Sequence, residues 1–152
     1  MYRILYFLLL VFFFIPIPGH SADVCLLVDF VKVVDGDTIK VIHNDKEENI
    51  RLERIDCFET SKNTRAKWQS NYYNIQIGQV IKKGKKSKEI LEDLLENTKK
   101  LYLNAENRDR YGRLLGEMYL VNRNVERGSQ IGLNINDYML EQGLCKIYIP
   151  RH

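Results

Sequence analysis

Three β-rich runs divided by two turn signals, a long amphipathic stretch, two further β-rich runs and a short closing helix make up the pattern of this chain. That order predicts an α+β fold, mainly β: a five-stranded OB-fold barrel with two to three packed helices, preceded by an N-terminal signal peptide. Such barrels commonly bind nucleic acid, but the fold by itself assigns no function.

The leader is the first element. Arg3 precedes twelve apolar residues, Ile4 to Ile15, and then "PIPGHSAD". This is the charged, apolar and small-residue order of a signal peptide, and the apolar run is short of the roughly 20 residues that a membrane span needs. Pro16, Pro18 and Gly19 break it, and cleavage is expected after Ser21 or Ala22. A cut after Ala22 divides the chain into a leader, 1–22, and one compact domain, 23–152. Loss of Arg3 lowers the formal charge from +3 to +2, so attraction to nucleic acid must come from local clustering.

From Val24 to Ile55 the text is rich in Val, Ile and Leu, broken by "DGD" at Asp35 to Asp37 and by "HNDKEEN" at His43 to Asn49. Two turn signals between three such runs predict a meander of three strands. "TIKVI" alternates cleanly; in the third run Ile50 and Leu52 share one face while Arg51 and Glu53 share the other. Between Thr60 and Tyr73 there is no clear period, which predicts a loop with a short helix. Ile77, Val80, Ile81, Gly84, Ser87, Leu91, Leu94, Leu95 and Thr98 then recur at helical spacing, as one amphipathic helix or two that meet at Gly84. The lysines at 82, 83, 85, 86 and 88 read as its solvated face. "KLYLNAEN" and "RLLGEMYLV", joined by "RDRYG", predict two more strands. Asn122 to Asn134 is turn-rich, and Ile135, Tyr138, Met139 and Leu140 form one face of a last helix closed by Gly143.

Cys25, Cys57 and Cys145 are an odd number, so at most one internal disulfide can form, and no pair has C-x-x-C spacing. Cys25 with Cys145 is the pair that leaves "IDCFET" untouched. Cys57 has no base or thiol partner nearby in sequence, so its side chain reads as a packing group rather than a nucleophile.

Four acidic residues stand near two strand ends: Asp35 and Asp37 at the "DGD" turn, Asp56 and Glu59 after the third strand. Carboxylates gathered in this way suit a hard cation, since Ca²⁺ and Mg²⁺ select oxygen ligands. "DGD" alone would be plain turn chemistry. Arg51 and Arg113 shift the reading, because guanidinium groups grip phosphate oxygens bidentately at any working pH. Trp68, Tyr72, Tyr73, Tyr111 and Tyr148 are candidate platforms for stacking bases, although most tyrosines serve packing.

"VVDGDTIKV", "IRLERIDCFET" and "RDRYGRLLGEMYL", in that order, resemble the staphylococcal nuclease (thermonuclease) family, and "NDYMLEQGLCK" matches its late "N-x-x-L-x-x-x-G-x-A" stretch less strongly. The resemblance runs from about Val28 to Tyr148. It implies an SNase-like OB-fold domain and an endonuclease, a metal-dependent phosphodiester hydrolase that uses one Ca²⁺ ion; the leader adds the expectation of export, to a periplasm, a cell surface or the medium. Its substrates would be DNA and RNA, cut with low sequence specificity to 3′-phosphate products. No stable protein partner is implied, and a monomer is expected. Position by position, Asp37, Asp56 and the backbone carbonyl of Cys57 would be the metal ligands, with Asp35 shaping the site. Arg51, Glu59 and Arg113 would be catalytic, the arginines on the phosphate and Glu59 on the attacking water. Arg110 and Tyr111 would bind a neighbouring nucleotide phosphate, and Tyr111 is the one stacking candidate inside a matched motif.

The chain departs from the family's "D-T-P-E" or "D-C-P-E", with Phe58 where proline would fix φ before Glu59. Thr60 to Gly84 is a long polar insertion, and Glu126 to Leu133 reads as an added excursion. The competing reading is a non-catalytic nucleic-acid-binding module on the same barrel. The joint presence of Asp37, Arg51, Asp56, Glu59 and Arg113 favours the enzyme.

Overall fold

In the computed structural model, residues 25–121 and 131–148 are described. The expected leader, and most of the Glu126–Leu133 excursion, lie outside them.

Strands β1 (Leu26–Asp35), β2 (Thr38–His43) and β3 (Lys46–Leu52) form an antiparallel meander. β5 (Lys100–Arg108) pairs with β1, and β6 (Leu114–Val121) pairs with β5. A parallel seam between β3 and β6, with Ile50 opposite Leu114 and Arg51 opposite Leu115, closes the five strands into a mixed barrel. β7 (Ile131–Asn134) is appended to β6. The α+β, mainly β, OB-fold is thus present.

The barrel interior follows from the period of two. Val28, Val33, Ile39, Val41, Ile50, Leu52, Leu101, Leu103 and Met118 all point inward and are buried. Helix α2 (Ile77–Leu95) is one unbroken helix, which resolves the alternatives at Gly84. Its buried residues Val80, Gly84, Ser87, Leu91 and Leu95 recur every three or four positions, so one stripe packs on the barrel and the lysines face solvent. α3 (Ile135–Glu141) buries Ile135, Asn136 and Met139. The Asn136 side chain donates to the carbonyls of Glu53 and Gly116 and accepts from Met118 N–H, which clamps α3 over the β3–β6 seam.

β4 (Ile55–Cys57) leaves the barrel and pairs with β8 (Cys145–Ile147). Their register puts Cys57 opposite Cys145, and the two form a disulfide. This corrects the expectation that the Cys57 side chain would only pack, and it uses Cys145, which could otherwise have paired with Cys25. The reason is topological: the two strands are brought together by α3 and the barrel wall, which sequence spacing does not report.

Candidate active site

The "DGD" turn and β4 meet at one end of the barrel. Asp37 Oδ2 accepts from Cys57 N–H at 2.9 Å, and its Oδ1 accepts from Thr38 Oγ1 at 3.1 Å. Arg51, next along β3, reaches Asp37 Oδ2 at 3.1 Å with one nitrogen and Asp56 Oδ1 at 3.5 Å with the other. The side chains of all three are about nine-tenths buried, so the guanidinium bridges two carboxylates away from bulk water. Removing such a cation would leave both anions uncompensated, the costly outcome for buried charge. The second oxygen of Asp56 is taken by Arg65 Nη2 at 2.6 Å. Arg65 comes from helix α1 (Thr64–Tyr72), the short helix expected in the polar insertion.

Glu59 is set by three contacts that replace the missing proline. Gln69 of α1, almost wholly buried, accepts from Glu59 N–H with Oε1 and donates to the Cys57 carbonyl with Nε2, both at 2.9 Å. The Phe58 ring is buried against Ala66 and Val80 and sits edge-on to Tyr73, with centroids 5.3 Å apart. Gly84 of α2 lets the turn pass: a Cβ there would lie 2.3 Å from the Glu59 carbonyl oxygen and 2.5 Å from that of Phe58. The Glu59 carboxylate itself accepts from Asn63 Nδ2 at 2.7 Å.

The carboxylates feel one another. Burial, and then the charges of Asp37 and Glu59, push the Asp35 carboxyl up to about 6, against the Gly36 N–H bond and the Lys88 charge. Arg65 keeps its charge despite burial because Asp56, Glu59 and Asp37 surround it. The sign at Asp35 is clear: the fold favours its protonated form, so this group's stabilising contribution is full below 3.8 and is lost as pH rises through about 6. Asp35→Asn keeps an acceptor for Gly36 and removes the charge. In chelator it is expected to be more stable than the parent at pH 8 by about 1–2 kcal/mol, allowing for screening at the exposed edge. The gain should vanish at pH 4, as read by urea unfolding. Equal stability at pH 8 would count against the clustering.

The "RDRYGR" turn is organised by Asp109, which sequence reasoning missed. Its carboxylate accepts from the backbone N–H of Tyr111 and Arg113 and from Arg113 Nε and Nη2, at 2.7–3.0 Å. Burial pushes this carboxyl up, but the Arg113 guanidinium and the two backbone donors outweigh it and hold it below its ordinary value. Arg113 is thereby fixed one residue ahead of Leu114, the partner of Ile50, and two residues ahead of Leu115, the partner of Arg51, on the strand across the seam. Tyr111 is mostly exposed, with the Arg110 and Arg113 guanidiniums 4.9 and 5.7 Å from its ring centre.

The structure therefore gathers Asp35, Asp37, Arg51, Asp56 and Glu59 at one place and sets Arg110, Tyr111 and Arg113 on the adjoining turn. Arg65, Gln69, Gly84 and Asp109 support them. The signals for these four were weak: an arginine and a glutamine in an aperiodic insertion, a glycine inside a helix, and an aspartate at a turn. The oxygen donors of Asp37, Asp56 and the Cys57 carbonyl suit a hard cation in kind. In number they fall short, since no group of three His, Cys, Asp or Glu side chains is placed to hold a metal among the described residues. Water and substrate oxygens would complete the roughly 6 to 8 that Ca²⁺ takes.

The molecule is thus an OB-type barrel with arginines and carboxylates gathered at one end. The family model for the staphylococcal nuclease homologue matches residues 49–152. An uncharacterized endonuclease of Escherichia coli O157:H7 is 30% identical over 139 residues, which covers 91% of this chain and 71% of that protein. Endonuclease YncB of Bacillus subtilis (strain 168) is 30% identical over 84% of this chain, which spans about half (52%) of YncB. The uncharacterized protein MJ1439 of Methanocaldococcus jannaschii is 32% identical over 78% of this chain and 58% of its own length. This chain belongs to the staphylococcal nuclease family.

Proposed function

We propose that the chain is an exported, calcium-dependent endonuclease that hydrolyses DNA and RNA with low sequence specificity and leaves 3′-phosphate ends. The observation that carries this is the Arg51 guanidinium held between Asp37 and Asp56 beside the positioned Glu59. Family membership and the endonuclease relatives support nuclease activity. The leader pattern supports export, as does the Cys57–Cys145 disulfide, since such bonds persist in oxidising compartments.

Hydrolysis needs a positioned water, a proton acceptor and charge on the phosphoryl oxygens matched by fixed cations. Glu59 orients the water and accepts its proton as the water oxygen bonds to phosphorus. Arg51 and Arg113 bind the equatorial oxygens, where negative charge grows. The bond from phosphorus to the 5′ oxygen then breaks, and that oxygen takes a proton from solvent. Arg110 and Tyr111 hold the next phosphate and set register. Calcium, held by Asp37, Asp56 and the Cys57 carbonyl, would add charge neutralisation at the phosphate.

The test is cleavage of single-stranded and duplex DNA by the mature protein, with calcium and with chelator, beside Arg51→Lys. The lysine keeps a cation between the two carboxylates and loses the bidentate fork. A rate lower by about 10²- to 10³-fold is expected in the variant. Absence of calcium-dependent cleavage in the parent would overturn the enzyme reading, and an undiminished rate in the variant would overturn the role of Arg51.

A further inference from the structure

We infer that helix α1 carries a second nucleic-acid subsite, a stacking platform of Arg65, Trp68 and Tyr72 that takes an unpaired base next to the scissile phosphate. The inference rests on the nuclease reading for its choice of polymer.

The platform is continuous with the site. Arg65 pairs with Asp56 at 2.6 Å, and its guanidinium carbon lies 5.0 Å from the Trp68 ring centre. Trp68 and Tyr72, one helical turn apart, are stacked with centroids 4.7 Å apart and planes 20° from parallel. Tyr73 stands edge-on to both, at 6.4 and 4.9 Å, and edge-on to Phe58 of the turn that presents Glu59. One run of rings thus leads from the Glu59 turn to the surface, where Tyr72 is 58% exposed.

Packing does not account for this face. α1 buries Ala66 and Gln69, on the face next to that of Arg65, Trp68 and Tyr72. Trp68 carries the Arg65 guanidinium and stacks on Tyr72, so the surface left for a nucleobase is the exposed Tyr72 ring, backed by the Trp68 indole. The charge on the helix itself favours a polyanion: Lys62, Arg65 and Lys67 stand on or beside α1, and α1 carries no acidic residue, the nearest carboxylate being Asp56, which Arg65 pairs. Stacking is indifferent to which base is presented, in keeping with low sequence specificity, and it requires an unpaired base.

Trp68 is the only tryptophan of the chain, so its emission reports the platform directly. The full-length mature protein is titrated in chelator with a single-stranded oligothymidylate, with an abasic strand of equal phosphate number, and with a hairpin duplex. Quenching is expected with the first and not with the abasic strand or the duplex. Tyr72→Ala should weaken single-strand affinity about 10-fold, the equivalent of about 1.4 kcal/mol and within the 1–3 kcal/mol per stacked base, and Tyr72→Phe should restore it. Equal quenching by the abasic strand, or unchanged affinity in Tyr72→Ala, would overturn the platform. Calcium-supported cleavage by the parent is scored separately. Cleavage without quenching removes the platform and leaves the nuclease reading, and quenching without cleavage does the reverse.

Discussion

Replacing Glu59 by glutamine is expected to lower kcat for calcium-supported DNA cleavage by about 10²- to 10⁴-fold, the span of a positioned general base. The fold should hardly notice. The Glu59 backbone N–H is bound by Gln69, and its carboxylate accepts from Asn63 Nδ2, a bond that glutamine Oε1 can keep. The side chain is neither in the core nor paired with a buried cation, so the thermal midpoint should move by no more than about 2 °C, as for an ordinary surface change. Single-turnover cleavage beside a melting curve separates the two effects. A rate within about five-fold of the parent would take the proton-accepting role away from Glu59.

Gly84→Ala is expected to damage both stability and rate, although alanine is the better helix former. The new Cβ would meet the carbonyl carbon and oxygen of Glu59 and the carbonyl oxygen of Phe58 within 2.5 Å, and these are backbone atoms with no rotamer to yield. Either α2 or the turn must move. Overpacking of this kind costs about 1–3 kcal/mol, and displacement of a catalytic group by an ångström costs about 10²-fold in rate. Gly78, on the same helix with nothing within 4 Å of its would-be Cβ, is the control. Gly78→Ala should gain up to about 1 kcal/mol from propensity alone. Urea unfolding of both variants with their kcat values checks the contrast; a Gly84→Ala protein as stable and active as the parent would show that the turn does not lie against α2.

Much of this was legible in the sequence because it rests on local patterns. Alternation at "TIKVI" and at Ile50 to Leu52 gave the barrel strands, and helical spacing from Ile77 gave α2. The carboxylates at strand ends and the arginine on the polar face of β3 pointed to phosphate chemistry. The parts not legible depend on contacts between segments distant in sequence. Phe58 looked like a loosened turn when read against a missing proline. In the fold its ring packs on Tyr73, and Gln69 ties the backbone on either side of it, so the turn is held by helices α1 and α2 instead of by a ring constraint. Asp109 and Arg65 were passed over because one charged residue in a turn or an aperiodic stretch is ordinarily solvent-facing. The Cys57–Cys145 pairing needed the β4–β8 register, which only the closed barrel supplies.

The parallel seam between β3 and β6 also governs how activity comes into being. β3 is complete early in the chain, but its partner follows both α1 and α2 and the whole of β5, so forming the seam is a long-range closure with its entropic cost. Until it joins, Arg51 and Arg113 belong to separate pieces of polypeptide, and no local unit holds both. On the roles proposed for Arg51 and Arg113, a chain whose seam is open is expected to be silent rather than weakly active. Cleavage would then come only from molecules whose barrel has closed.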